Sequence, residues 1–470
     1  MNKGYVFYDT ETTGINTAFD QILQFGAIRT DADLNELERF EARCRLLPYI
    51  VPTPKAMALT GVTADMLVDP SLPSHYEMIS QVKAKFEEWS PTTFIGHNSM
   101  SFDELLLRQA LYKNLYSPYL TNMNGNGRAD SILLCHAYNA LAPGTVSIPI
   151  GDNGKPSYKL DRLAPANGFD HANAHDAMGD VEATIHMCRL MKDSNPEIWS
   201  TLLGNARKSA VQETLGQSEV FLNIGVYYQR AYLNLVTPIG VNPDYKAEHL
   251  LFNLELDPDD FAALSEEELS KKLASSPKPI RSLRANAFPI IVPIEAVPDE
   301  IVRALPNVVD LREKAASIAD AEGLRDGLIE TYLGNREPFE PSEHVEKQMY
   351  DGFISDADQV LLDKFHAAPW EQRAEVLNQL SDGRLKTLGQ RLIHSEAPDT
   401  MNDNLRHSYE VAIANRLLAE PVEDLWQTLP QAISDAESMM ATAEGETLDL
   451  LRGLLVSLRE QSSQLQSQQA

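Results

Sequence analysis

Cysteine is scarce in this chain of 470 residues: there are three, Cys44, Cys135 and Cys188. They are far apart, odd in number and without the paired spacing of a metal-binding knuckle. This excludes a disulfide scaffold and a cysteine-built metal centre. They read as reduced core thiols, which points to the cytoplasm. Long apolar runs are also missing. The most apolar late stretch, 287–297, is short and broken by Pro289 and Pro293, so no segment is expected to span a membrane. The first strand pattern begins almost at Met1, and no secretory leader is expected. Basic residues are outnumbered, 40 Lys and Arg against 68 Asp and Glu, for a net charge of −28. That excludes a protein that coats nucleic acid through overall charge. The deficit is spread along the chain, −8 over 1–200, −9 over 201–350 and −11 over 351–470. Only 270–294 departs from it, with Lys271, Lys272, Lys278, Arg281 and Arg284 and no acid. Such a strip fits a directed nucleic-acid groove and fits a solvated loop equally well.

What is present is ordinary globular material, 43% hydrophobic and 23% charged, enough for about two to four domains. No internal repeat is visible. The chain is organised around Tyr5-Val6-Phe7-Tyr8-Asp9-Thr10-Glu11-Thr12-Thr13-Gly14. Its aromatic and β-branched start predicts a buried strand. Side chains two apart share a face, so Asp9 and Glu11 project together before Gly14 turns the chain. Two like charges side by side are costly to bury, and a divalent cation removes the cost. Oxygen ligands suit magnesium or manganese.

Two further strands are predicted at 22–29 and 39–46, completing an antiparallel meander. Helices follow at 55–59 and 75–89, then a short strand at 92–96. Ser101 is the expected N-cap of a helix running to about Tyr112. Asp103 then lies in its first turn, where an acid is favoured whether or not it has a function. Asn98 lies in the turn before it, as a turn former or a substrate contact. Helices are expected at 128–142 and 158–167, with Lys155, Tyr158 and Lys159 near the loop between them as candidates for phosphate contact and base stacking. His175 and Asp180 stand at the start of another helix, with Asp176 as its cap. A connecting helix at 196–216 precedes a β-rich stretch, with strands at 219–226, 227–236, 249–256, 280–284 and 288–292 and helices inserted at 259–274 and 299–305. From about Val309 the pattern is helical, and the Ser/Gln-rich end, 462–470, is expected to be disordered.

Together the motifs are specific. Asp-x-Glu-Thr-x-Gly on the first strand, His-Asn-x-x-x-Phe-Asp before a central helix and His-x-x-x-x-Asp on a later helix resemble the DEDD exonuclease superfamily, in its histidine-containing branch. The resemblance implies a ribonuclease-H-like α/β fold, a mixed sheet flanked by helices, over residues 1–195. Matching motif by motif, Asp9, Glu11, Asp103 and Asp180 would be the metal-binding acids and His175 the fifth catalytic residue. About 270 residues follow, and the whole chain is similar to the bacterial exodeoxyribonuclease I family, with further matching stretches at 156–160, 166–168, 173–178 and 349–358. That likeness implies an SH3-like small β-barrel domain with inserted helices over 196–350 and an all-α domain over 351–470. Lys159 stands where the family leads us to expect arginine, and Tyr227, Tyr228 and Tyr232 where it leads us to expect tryptophan.

The resemblance implies processive 3′→5′ hydrolysis of single-stranded DNA to nucleoside 5′-monophosphates, in DNA repair and recombination. It implies two Mg2+ per site, with Mn2+ as substitute. Asp9 would bridge them, Glu11 and Asp180 would complete the shells, and Asp103 would hold the second ion directly or through water. His175 would be the general base. Substrate contacts are expected from Glu11, Asn98, Tyr158, Lys159, Arg230, Arg281 and Arg284, with Tyr227 beside them. A single-stranded-DNA-binding protein is the implied associate of a monomeric enzyme. A 3′→5′ exoribonuclease would share every catalytic residue. A non-catalytic single-strand-binding scaffold is the rival of another class, and the five intact positions weigh against it.

Overall fold

The segment Tyr5–Thr12 is strand β1, the central strand of the first of two five-stranded sheets in the computed structural model. Residues 4–171 and 175–469 are described. Asn173 and Ala174 of the 173–178 stretch, and Ala470, lie outside them. β1 pairs antiparallel with β2 (Ile22–Thr30), which pairs antiparallel with β3 (Glu36–Arg43), as the short connections predicted. On its other side β1 runs parallel to β4 (Thr93–Gly96), which is parallel to β5 (Gly127–Asp130). The order is β3-β2-β1-β4-β5. Helices α1 (Pro54–Thr60), α2 (Ala64–Leu67), α3 (His75–Trp89) and α4 (Asp103–Lys113) fall between these strands. After them come α5 (Ser131–Leu141), α6 (Leu160–Ala166) and α7 (Ala177–Ser194).

The period of β1 splits the core in two. Tyr5 and Phe7 face one layer, with Tyr138, Leu163 and Met187 from α5, α6 and α7. Val6 and Tyr8 face the other, with Phe86, Phe94 and Leu107. Each such fully buried side chain contributes about 1.5–3 kcal/mol. The same alternation sends Asp9 and Glu11 toward α7 and Thr10 toward α4. Opposite Asp9 in the β1–β2 register stands Gly26. A Cβ there would lie 2.9 Å from the carbonyl carbon of Ala177 and 3.0 Å from the Met178 nitrogen, so its absence lets the first turn of α7 sit directly on β2.

Glu104 of α4 is fully buried and locks that helix to the sheet. It accepts from the Tyr8 hydroxyl at 3.0 Å, Arg108 Nε at 2.7 Å, Arg128 Nη1 at 2.7 Å and the Thr121 hydroxyl at 2.6 Å. Burial alone would raise its pKa, but the two guanidiniums bring it below the usual carboxylate range. Arg128 also donates to the carbonyl of Asn286, tying this sheet to the second. Residues 127–130 are therefore strand rather than helix, because they pair with β4 and bury Arg128 against Glu104.

The 196–216 helix is two helices, α8 (Pro196–Gly204) and α9 (Lys208–Gln217). The second sheet holds β6 (Phe221–Tyr227), β7 (Arg230–Val241), β8 (Glu248–Asn253), β9 (Ile280–Arg284) and β10 (Ile291–Pro293). Its order is β10-β6-β7-β8-β9, antiparallel throughout. Helices α10 (Asp259–Ala262) and α11 (Glu266–Ala274) are inserted before β9, and α12 (Asp299–Val302), α13 (Val308–Asp320) and α14 (Glu322–Gly334) follow β10. Where an SH3-like small β-barrel with inserted helices was expected, there is a five-stranded antiparallel sheet with inserted helices; among the described residues its pairing ends at β10 and β9 without closing.

The last third is helical, with α15 (Asp356–Ala367), α16 (Trp370–Gln379), α17 (Gly383–Glu396), α18 (Asp403–Leu418), α19 (Leu429–Met440) and α20 (Gly445–Gln469). The end expected to be disordered is the last part of α20. Leu454 and Leu458 anchor that helix in a cluster with Met57 and Leu429, Leu465 packs against the same cluster, and Ser and Gln extend a helix once it is anchored. The helical unit meets the loop that follows the strand-end acids. Phe19 is bracketed by the rings of His344 and Trp426, and Asn16 Nδ2 donates to the Leu425 carbonyl at 3.0 Å.

Candidate active site

A cleft of about 460 Å³ opens at the C-terminal end of β1, lined by Asp9, Glu11, Asn98, Asp103, His175 and Asp180 among others. Asp9, Glu11 and Asp180 each offer an oxygen, and the three oxygens lie within 4.8 Å of one another. Asp180 arrives on the first turn of α7, which Asp176 caps by accepting from the Gly179 N–H at 3.4 Å. Asp176 is itself held by Gln24 Nε2 at 2.8 Å and Arg43 Nη2 at 3.1 Å, which pins the start of α7 to β2 and β3.

Asp103 reaches the site from the other face of β1. Its Oδ1 accepts from both the hydroxyl and the backbone N–H of Thr10. The parallel pairing of β1 with β4 runs only from Tyr5 to Phe7, so the Thr10 N–H is free for this bond. The expected Ser101 cap is not formed. Ser101 lies in a 3-10 turn, and α4 starts after Phe102 with no side-chain cap, because buried Asp130 takes over the turn. Asp130 accepts from the backbone N–H groups of Asn98 and Met100 at 2.8 and 3.0 Å, and Asn98 sits in the left-handed region at φ 62°. His97 contacts the Ser131 hydroxyl and the Tyr158 carbonyl, both at 2.8 Å. Burial lowers its pKa to about 4, so it stays neutral and serves as a strut.

The electrostatics call for a cation. Burial, then Asp103, Asp180 and Glu11, hold the Asp9 carboxyl well above its usual range. Burial and the neighbouring Asp180 and Asp103 push Glu11 up to about 9. Burial raises Asp103 to about 7 against the hydrogen bonds from Thr10. It also raises Asp180, although His171 and His175 pull the other way. Among the described residues no lysine or arginine forms an ion pair with any of these four acids, and such a cluster fits divalent ions bound through oxygen.

Two family profiles match the chain. One, described as exonuclease, covers residues 6–188, and one described as exonuclease I C-terminal domain covers 343–456. Exodeoxyribonuclease I of Haemophilus influenzae is 30% identical over 409 residues, which span 83% of this chain and 85% of that protein. The chain belongs to the exodeoxyribonuclease I family. It is accordingly a nuclease. The Escherichia coli exodeoxyribonuclease I is 27% identical over 389 residues, 77% of this chain and 80% of that one. Among solved structures, E. coli exonuclease I in complex with a dA16 oligonucleotide superposes with a TM-score of 0.83, 24% identity and coverage of 98% and 100% of the two chains. Exonuclease I from Methylocaldum szegediense gives 0.83, 26%, 98% and 99%.

The exodeoxyribonuclease I fold thus gathers Asp9, Glu11, Asp103, His175, Asp180 and Asn98 in one cleft, but not every residue expected at the substrate. Tyr158 is a correction. Its side chain is buried, and its ring stacks on His136 at 3.6 Å between centroids, so it has no face left for a base. Lys159 is exposed at the start of α6. Arg230, Arg281 and Arg284 lie on β7 and β9, outside the cleft lining, with Arg230 and Arg284 exposed and Arg281 half-buried. Sequence reasoning missed Thr10, Asp130 and His171. It also missed Asp435 of α19, which lines the cleft from the helical unit. Thr10 was readable, since a strand alternates and its hydroxyl had to face α4. Asp435 carried no local signal.

Proposed function

We propose that this chain removes nucleotides from the 3′ end of single-stranded DNA and releases nucleoside 5′-monophosphates processively. The observation that carries the reading is the meeting of Asp9, Glu11 and Asp180 within 4.8 Å, with Asp103 beside them, in one cleft. The substrate comes from the relatives, which are named exodeoxyribonuclease I, and from the oligonucleotide complex of E. coli exonuclease I. The wider reading is a monomer acting in DNA repair and recombination, with a single-stranded-DNA-binding protein as associate.

Asp9, Glu11, Asp103 and Asp180 would hold two divalent cations, Mg2+ or Mn2+ in its place. When bound, these supply the charge that activates water near neutral pH and relieves the departing 3′ oxygen. His175 is then the general base that takes the proton from the attacking water. It sits in the left-handed region at φ 66°, a strained placement for a non-glycine residue that is found at functional sites. Glu11 and Asn98 orient the terminal nucleotide. Outside the cleft, exposed Tyr228, Tyr227 and Arg230 at the β6–β7 turn, with Arg284, give the strand stacking faces and phosphate partners that read no sequence.

The test uses 5′-labelled single-stranded DNA and matched RNA, with Mg2+ or chelator, beside Asp180→Ala. Shortening of DNA from the 3′ end, dependent on metal and lost in the variant, is the expected result. Equal trimming of RNA would move the substrate to RNA. DNA that binds but is not cut would overturn the catalytic reading.

A further inference from the structure

His171 precedes α7 and played no part in the motif match. Its side chain is 2% exposed, and Nε2 lies 2.7 Å from Oδ1 of Asp180. The two atoms are at hydrogen-bond distance but not aligned as a regular hydrogen bond. Among the described residues neither atom has another partner, and His171 Nδ1 has none. An imidazole is seldom buried with both nitrogens idle, because each lost hydrogen bond costs about 1–3 kcal/mol. The contact with Asp180 is thus the one polar use this ring has among the described residues.

The direction of the contact gives it meaning. Asp9, Glu11 and Asp180 form the close oxygen cluster, and His171 is not part of it although it touches one member. Asp180 lines the cleft and His171 does not, so the ring meets this carboxylate from the side away from the cleft. Asp180 Oδ1 is fully buried against it, and the backbone N–H of His175 supports the same carboxylate. A ligand carboxylate with one oxygen held from behind presents the other in a fixed direction, and such outer partners are worth about 10–100-fold in metal affinity or activity.

We infer that His171 is a positioning residue: it holds Oδ1 of Asp180 so that this carboxylate presents its other oxygen toward Asp9 and Glu11. The inference rests on the cation reading of the cleft. His171 touches neither substrate nor cation. In its role it donates the Nε2 hydrogen to Asp180, so a side chain with a donor at the same reach replaces it and an apolar ring of similar volume does not.

The test compares His171→Gln with His171→Phe in the full chain. Gln places an amide nitrogen at similar reach, and Phe fills the space without a donor. Mn2+ binding without DNA is read from the free-ion electron paramagnetic resonance signal, beside thermal midpoints and Mg2+-dependent digestion. The expected result is that Phe weakens Mn2+ binding about tenfold or more while Gln stays within about threefold of the parent. The Mg2+ needed for half-maximal rate should rise in Phe alone, with KM for single-stranded DNA unchanged. Equal Mn2+ affinity in parent and Phe variant, or equal loss in both variants following their thermal midpoints, would overturn the inference. A parent chain that binds no Mn2+ would instead overturn the cation reading beneath it.

Discussion

Thr10 donates twice to one oxygen of Asp103, from its hydroxyl at 2.6 Å and from its backbone N–H at 3.1 Å. The pair joins the middle of the acidic strand end to the first residue of α4 and fixes how that carboxylate faces the cleft. Thr10→Val keeps the branch and the volume and removes one donor from a buried acid, at a cost of about 1–3 kcal/mol. We expect kcat to fall about tenfold, with KM for single-stranded DNA unchanged, and Thr10→Ser to restore it. Steady-state digestion of labelled DNA checks both variants. Equal kcat in Val and parent would mean that the backbone N–H suffices.

The crowded acids make the metal-free fold sensitive to pH. In the fold Glu11 keeps its proton to about 9 and Asp103 to about 7, and in the unfolded chain such groups lose theirs near ~4. Between those limits the folded state binds more protons, so this contribution is intact below ~4 and is lost as pH rises through about 7 and then about 9. With chelator, the urea midpoint should drop from about pH 5 to about pH 9. Added Mg2+ should recover it most at the alkaline end, by stabilising the ionised acids. Glu11→Gln should flatten the metal-free profile above about pH 7. A variant profile parallel to the parent's would place the sensitivity elsewhere.

These contacts show what could be read in the chain and what could not. The period of two put Asp9 and Glu11 on one face, and short connections gave the meander, because both depend on neighbours in sequence. Asp103 was ambiguous alone, since an acid in a first turn serves the helix dipole with or without a function. Residues 128–130 read as helix because their pattern joins that of α5; what makes them strand is a parallel partner in β4 and a buried Glu104 some two dozen positions upstream. Tyr158 read as a stacking residue because an aromatic beside lysine suggests one, whereas the fold spends its ring on His136. His171 and Asp435 act through partners that only the folded chain brings near.

Gly26 should be irreplaceable for a reason of space. Its virtual Cβ meets the backbone of Ala177 and Met178 at 2.9–3.1 Å, and backbone cannot swing aside as a side-chain end can. Gly26→Ala must lift the start of α7 and carry Asp180 away from Asp9. We expect at least about tenfold lower activity at fixed Mg2+ and a stability loss of about 1–3 kcal/mol. Gly323→Ala in α14, where a Cβ meets nothing within 4 Å, is the matched control. It should gain about 0.5–1 kcal/mol and leave activity unchanged. Full activity in Gly26→Ala would show that α7 has slack the packing does not suggest.

The β6–β7 turn sets stability against binding. Tyr227 pairs with Arg230, so Tyr228 and Gln229 are the whole turn, and both sit in the left-handed region at φ 50° and 60°. That turn favours Asn-Gly, and a bulky residue there is strained by about 1–2 kcal/mol. Tyr228 is also 99% exposed, so packing does not offset the strain. If the ring is a stacking face for single-stranded DNA, Tyr228→Asn should raise the urea midpoint and weaken binding about tenfold, since one base–aromatic stack is worth about 1–3 kcal/mol. Processivity, read as product length after a single encounter with excess unlabelled trap, should shorten with it, because a strand held less tightly leaves between cuts. A midpoint that rises while affinity and run length stay the same would take the hairpin off the path of the strand and leave its strain without a use in digestion.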